Sequence, residues 1–336
     1  MKCFKKILCT AAAAAMLIAG CSSASSSDGN SDTSNEGSDT TIGIIQFFEH
    51  PALDLATDGF EDYLKENGYA DAKIDYNSAQ GEVNNCTSIA QKLVNEKVNM
   101  IYAVGTQAAL SAANETKDIP IVISAVTNPE GSDLVESNDK PGNNVTGASD
   151  LTPVKEQIAL LQEILPDAKT IGLLYCNAES NSEYQISIAE EACKDAGLET
   201  IKATVTDSNQ IQQVIESLAG KVDAIYVPTD NLLADSMVTV AQSAINIGVP
   251  VICGEEGMVE NGGLATYGIN YYELGKLAGK MAVSILSGES KPEDMAIEYL
   301  PEDSCALVVN TKTAESLGLD IPQSVLDRAE IVGEEE

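Results

Sequence analysis

From Thr41 onward the chain alternates short aliphatic runs with longer stretches in which apolar residues recur every three to four positions. The runs Ile42–Ile45, Met100–Val104 and Ile121–Ile123 have the length and β-branched content of buried strands. They return as Ile171–Tyr175, Ala224–Val227 and Val249–Ile252, at offsets of 129 from Ile42 to Ile171, 124 from Ile101 to Ile225 and 130 from Pro120 to Pro250. Near-constant offsets indicate an internal duplication. Each half reads strand, helix, strand, helix, strand, helix, strand, which predicts an α/β fold of two lobes, each a parallel sheet with helices on both faces.

The intervening stretches read as helices. Leu53, Ala56, Phe60, Tyr63 and Leu64 share one face, and Gly68 stands where a left-handed cap ends a helix. In the second half Ser180 and Glu183 have capping-box spacing ahead of the stripe Ile186, Ala189, Cys193 and Ala196, which closes at Gly197. Between the halves, Thr152 and Pro153 start a predicted helix through Val154, Ile158, Leu161 and Leu165 that stops before Pro166.

The first forty residues do not share this pattern. Lys2, Lys5 and Lys6 precede an apolar run from Ile7 to Ala19, shorter than the roughly 20 residues that span a bilayer. Residues 1–20 therefore read as a signal peptide. Ile18-Ala19-Gly20-Cys21 resembles the lipobox of bacterial lipoproteins, which implies cleavage before Cys21 and acylation of that residue, as with palmitate. Ser22 to Thr40 holds eight serines and no core-forming residues. A flexible chain of that length reaches about 25 Å, enough for a tether between a lipid anchor and the body. No later stretch is apolar enough to cross a membrane.

Composition narrows the class further. Of 336 residues, 19 are Lys or Arg and 52 are Asp or Glu, a formal charge of -33 that would repel a phosphate backbone. Nucleic acid is excluded as a partner. Of the eight cysteines, Cys3, Cys9 and Cys21 lie in or at the signal, leaving Cys86, Cys176, Cys193, Cys253 and Cys305. An odd number without C-x-x-C spacing reads as small buried hydrophobes, not a disulfide framework or metal site. The chain lacks G-x-S-x-G, P-loop, G-x-G-x-x-G and H-E-x-x-H motifs and has one histidine, so no enzyme, metal or cofactor is expected. Glu255 and Glu256 are adjacent, and adjacent side chains diverge, which argues against a catalytic dyad.

In open α/β sheets ligands sit beyond the carboxyl ends of the strands. Those ends are Gln46 to His50, Gly105 to Gln107, Ala125 to Asn128, Tyr175 to Ser182, Pro228 to Asn231 and Gly254 to Glu256.

Several segments resemble the type I solute-binding proteins of ABC importers, in particular the lipoprotein group that serves tryptophan and tyrosine importers. They are Ile44-Ile45-Gln46, His50 to Asp54, Ala103 to Thr106, Ser124 to Pro129, Gly147 to Asp150, Pro228 to Asn231 and Tyr267 to Asn270. The resemblance runs from Thr41 to Val332. It implies two Rossmann-like lobes with parallel sheets joined by a hinge, 41–149 plus about 268–300 and 150–267 plus about 301–336, with a small solute held between them. It further implies a monomer that delivers its solute to a membrane permease with an ATPase.

An amino acid requires acceptors for its ammonium, donors for its carboxylate and a surface for its side chain. Arg328 is the sole arginine, so a guanidinium clamp is not expected. Thr106 and Gln107 after Gly105, and Asn181 and Ser182, are candidate donors. Asp150 and Asp230 are candidate ammonium partners. His50, Thr127, Asn177 and Asn231 lie at the same strand ends, although Thr106, Ser182, Asp230 and Asn231 are equally suited to capping helices. Phe47, Phe48, Tyr175, Tyr226 and Tyr267 either join the core or meet an aromatic or hydrophobic ligand side chain. A sugar or nucleoside receptor and a sensory ligand-binding module are the alternatives.

Overall fold

The structure is a computed structural model that describes residues 39–333. Residues 1–38, on which the expected signal peptide, the expected lipidation at Cys21 and the serine-rich stretch fall, lie outside the described residues. The chain begins β1 (Thr41–Gln46), α1 (Pro51–Leu64), β2 (Lys73–Ser78), α2 (Val83–Glu96), β3 (Met100–Val104), α3 (Thr106–Glu115), β4 (Ile121–Ser124), β5 (Val145–Ser149) and α4 (Val154–Ile164). It continues β6 (Thr170–Cys176), α5 (Ser180–Asp195), β7 (Glu199–Val205), α6 (Ile211–Glu216), β8 (Ala224–Val227), α7 (Asn231–Asp235), α8 (Met237–Asn246), β9 (Val251–Cys253), α9 (Glu256–Glu260) and β10 (Ala265–Gly268). It closes with α10 (Tyr271–Leu286), β11 (Glu298–Tyr299), β12 (Ala306–Asn310), α11 (Thr311–Leu317), α12 (Gln323–Leu326) and β13 (Glu330–Val332).

Two sheets result. The first runs β2-β1-β3-β4-β5-β11 and the second β7-β6-β8-β9-β10-β12-β13, so the duplicated halves share one strand order. Pairing is parallel except between β10 and β12, which run antiparallel. Because helices cover both faces, the central strands are mostly apolar, and every residue of β3 and β4 is buried. Phe60 of α1 stacks on Tyr102 of β3 with ring centroids 3.7 Å apart, and the Tyr102 hydroxyl bonds Ser124 and the Ala56 carbonyl.

The chain passes between the lobes three times. It leaves the first sheet after β5 to place α4 on the second core, returns after β10 to place α10 on the first, and crosses again between β11 and β12. Three short crossings at one edge make a hinge. The return is secured by a close helix pair. A Cβ on Gly59 of α1 would lie 2.0 Å from the Tyr272 carbonyl oxygen, and one on Gly275 of α10 would lie 2.0 Å from that of Ala56. Backbone on both sides leaves nothing flexible to yield. We expect Gly275→Ala to cost about 3 kcal/mol, the upper end for overpacking, in urea denaturation; a loss below about 1 kcal/mol would contradict this contact.

Helix ends differ from the sequence pattern in one informative place. The start of α5 is not a capping box on Ser180 and Glu183: the residue at the cap is Glu179, extended and buried, while Ser180 is exposed. The Glu179 carboxylate is thereby free to serve another helix.

Candidate ligand-binding site

The carboxyl ends of both sheets face a shared cavity of about 290 Å³, counting the solvent at its mouth. The first lobe contributes His50 and Leu53 at the start of α1, Ala125 and Thr127 after β4, Asp150 after β5 and Tyr271 at the start of α10. The second contributes Asn181 of α5, Thr229 to Asn231 and Ala234 around α7, and Glu255 and Met258 at α9. Ala125 holds a left-handed backbone at φ 53°, a strained conformation for a residue with a Cβ and one that collects at binding sites.

One hydrogen-bonded group joins the lobes. His50 Nε2 lies 3.3 Å from Asn231 Oδ1. The Asn231 amide nitrogen is committed to Glu179 Oε2 at 2.6 Å, so its oxygen faces the imidazole, and His50 must carry its proton on Nε2. Glu179 also accepts from the Asn231 and Leu232 backbone amides and from Asn181 Nδ2. It is in effect a cap for α7 supplied by another loop. Burial lowers the His50 pKa to about 4, against the pull of Asn231 and the Asp235 charge, so the ring is neutral. Burial and the neighbouring Asp230 push Glu179 up to about 7, with Asn231 and Asn181 opposing.

A second group sits at the hinge. Thr127 Oγ1 donates to Asp150 Oδ1 at 3.0 Å and the Tyr271 hydroxyl donates to Asp150 Oδ2 at 2.9 Å. Burial raises the Asp150 pKa, and these two neutral donors only partly offset it. Glu255 caps α9, accepting from the Gly257 and Met258 amides at 2.6 and 2.8 Å. Asp230 caps α7 by accepting from the Leu233 amide at 3.0 Å, and it also accepts from the Cys176 amide at 2.7 Å. Three acids and no lysine or arginine thus line the cavity.

Burial, with the charges of Glu256 and Glu260, pushes Glu255 up from the usual 4.5 to about 7. Its folded pKa exceeds its unfolded one, so the folded protein holds the extra proton across that window and stability falls as pH rises through it. A glutamine loses a fixed amount of cap strength but has no such slope. Relative to wild type, Glu255→Gln is expected to gain on the order of 3 kcal/mol between about pH 4.5 and about pH 8, read from urea denaturation at each pH. A pH-independent difference would contradict the ionisation of this buried group.

Of the residues singled out in the sequence, the fold gathers His50, Thr127, Asp150, Asn181, Asp230 and Asn231 around the cavity. It places the others elsewhere. Gly105, at φ 96°, and Thr106 are buried behind the first strand ends; Gly105 packs on Phe47, and Gln107 continues α3 away from the cavity. Asn177 is exposed, bonding β7 through its amide, and Ser182 is fully buried against Asp230. Phe47 stacks edge-on to Phe48, and Tyr175 and Tyr226 join the second core. Tyr267 lines a different crevice with Leu160, Leu307 and Arg328. Leu53, Thr229, Glu255, Met258 and Tyr271 were not singled out. Tyr271 stands one residue beyond the Tyr267–Asn270 segment; the start of α10 was the missing signal.

Two alike lobes on a three-crossing hinge, with a small cavity at their facing strand ends, define a hinged solute-binding protein. The chain belongs to the ABC transporter substrate-binding protein family, whose model matches residues 41–332. This is a family of solute binders, not enzymes. The chain is 39% identical over 324 residues to a tyrosine-binding protein of Clostridioides difficile (strain R20291), covering 94% of this chain and 93% of that protein. A crystal structure of an ABC domain from Streptococcus pneumonia in complex with L-Trp aligns with a TM-score of 0.84 at 37% identity, covering 87% of this chain and 99% of that one. The ligand-free, open structure of a substrate-binding protein with adhesive properties from Clostridium difficile aligns at 0.68 despite 41% identity, covering 88% of this chain and 100% of that one. The chain thus superposes more closely on the L-Trp complex than on the ligand-free, open structure, although the latter has the slightly higher identity.

Proposed function

We propose that this protein is the lipid-anchored extracytoplasmic receptor of an ABC importer, and that it closes around an aromatic amino acid and hands it to a permease driven by an ATPase. The observation that carries the reading is the cavity itself: buried carboxylates without a protein cation, beside the apolar Leu53, Ala234 and Met258. A ligand ammonium is the charge that such a site lacks. Asp150 is the carboxylate best suited to it, because its protein partners are neutral hydroxyls on the first lobe and at the hinge. The ligand carboxylate has the start of α1, where His50 at the cap makes no side-chain bond to the helix and Leu53 lines the cavity.

The aromatic class rests on the relative named a tyrosine-binding protein, on the neighbour in complex with L-Trp, and on this apolar wall. It does not rest on the aromatic residues at strand ends, which the fold keeps out of the cavity. Tyr271 is the sole Phe, Tyr or Trp among the lining residues, which disfavours a sugar held by stacked rings. Ligand bridging the lobes favours the closed state by its differential affinity for the two arrangements. A thermal-shift screen of the purified protein tests the class. Aromatic amino acids are expected to raise the melting temperature while sugars and nucleosides leave it unchanged; a shift by sugars with none by amino acids would overturn the reading. For the anchor, Cys21→Ser is expected to move the protein from the membrane to the soluble fraction and abolish palmitate labelling.

A further inference from the structure

His50 and Asn231 meet across the cavity from opposite lobes, 3.3 Å apart and away from the hinge group of Thr127, Asp150 and Tyr271. Among the described residues His50 Nδ1 has no hydrogen-bond partner, although the residue is only 6% exposed, so the bond to Asn231 is the one that orients the ring. A neutral imidazole meets an amide oxygen only through an N–H. Turned over, the same amide would present its NH2 group, and the ring would then need a bare Nε2 and a proton on Nδ1. The direction in which Asn231 points therefore decides the tautomer of a residue in the other lobe.

Glu179 decides that direction. It stands at the cap of α5 yet makes no side-chain bond to that helix. Its carboxylate accepts from Asn231 Nδ2, from Asn181 Nδ2 and from the Asn231 and Leu232 backbone amides. An ionised carboxylate can only accept, so it admits the NH2 edge of Asn231 and rejects the oxygen. Capping alone does not account for this. Asp230 already caps α7 through the Leu233 amide, and the shortest bond of Glu179, at 2.6 Å, goes to the Asn231 side chain, which does nothing for the helix. Keeping a carboxylate 4% exposed beside Asp230 is costly, so the hold on Asn231 requires a further reason.

On the reading that the lobes close around an amino acid, we propose that Glu179 is a positioning residue: through Asn231 it holds His50 as the Nε2–H tautomer and so latches the second lobe to the first once the solute is enclosed. Glu179 shares no hydrogen bond with His50 and acts on it at one remove. Without the latch the closed arrangement is populated less of the time, and the apparent affinity falls in proportion.

His50 is the sole histidine, so its two ring nitrogens give one unambiguous pair of signals in 15N NMR of the purified protein. At pH 8 Glu179, with its pKa pushed up to about 7, is ionised, and His50, at about 4 despite the charge of Asp235, is neutral. With L-tyrosine or L-tryptophan bound, Nε2 is expected to be protonated and Nδ1 bare, with the Nε2 proton slow to exchange with water. In Glu179→Ala the Asn231 amide is free to turn, and the two nitrogen shifts are expected to move toward each other as both tautomers appear. By calorimetry at the same pH, Glu179→Ala and His50→Leu are each expected to weaken binding by about 10-fold, and the double variant by no more than about threefold beyond either, because both cut one chain. Losses that multiply to about 100-fold would make Glu179 a plain cap of α7 and overturn the latch. Mixed tautomers, or a proton on Nδ1, in the wild-type complex would also overturn it while leaving the aromatic reading in place, and this readout stands even where a variant does not fold. No binding of either amino acid would remove the aromatic reading, and the latch with it.

Discussion

Asp150→Asn is expected to weaken amino-acid binding by about 100-fold or more, while the ligand-free protein melts no lower than wild type. The two effects have opposite signs for one reason. In the ligand-free protein Asp150 is a buried carboxylate satisfied by two hydroxyls, with its pKa raised by burial. Its folded pKa lies above its unfolded one, so its ionisation lowers stability as pH rises past the usual carboxylate range. A neutral amide of the same shape removes that penalty: its oxygen still accepts from one hydroxyl, and the other hydroxyl rotates to accept from its N–H. With the ligand bound, the same carboxylate neutralises the ammonium, and losing one partner of a buried charge pair costs about 2 to 5 kcal/mol. Calorimetric titration and a melting curve on one preparation read both. Unchanged affinity would remove Asp150 from the ammonium site.

Asp230→Ala is expected to act the other way, lowering stability by about 2 to 3 kcal/mol whether or not ligand is present. By sequence Asp150 and Asp230 were equal candidates, each an acid in a short polar motif at a strand end. The fold separates them. Asp230 is 1% exposed and spends one oxygen on the Leu233 amide, capping α7, and the other on the Cys176 amide at the end of β6. Alanine would leave both buried donors unpaired. Part of the loss is returned, because Glu179 no longer faces a neighbouring carboxylate and its pKa falls below about 7. Urea denaturation checks the prediction. A variant as stable as wild type but unable to bind would instead assign Asp230 to the ligand.

The same contrast shows what sequence can carry. Buried parallel strands announce themselves as aliphatic runs, so the duplicated order and the strand ends were legible, and with them His50, Thr127, Asp150, Asn181, Asp230 and Asn231. Which side chain at a strand end turns inward is set by tertiary packing. Thr106 follows Gly105 as expected, yet α3 leans into its own lobe and takes Thr106 below the surface. In sequence Glu255 is half of a carboxylate pair at a strand end, whereas its extended backbone, at φ -151°, turns it into the cap of α9 and a wall of the cavity. Glu179 was hidden because its role joins two loops about fifty residues apart, a distance at which local spacing says nothing. The antiparallel β10–β12 pair was equally silent, since a strand's direction within a sheet leaves no mark on its own composition.

A crystal structure of the protein grown with L-tyrosine or L-tryptophan tests the central claim most directly. The amino acid is expected between the lobes, its ammonium within about 3 Å of Asp150 and its carboxylate toward the start of α1. A ligand seated outside the space between the strand ends, or one with its carboxylate against Asp150, would contradict the account.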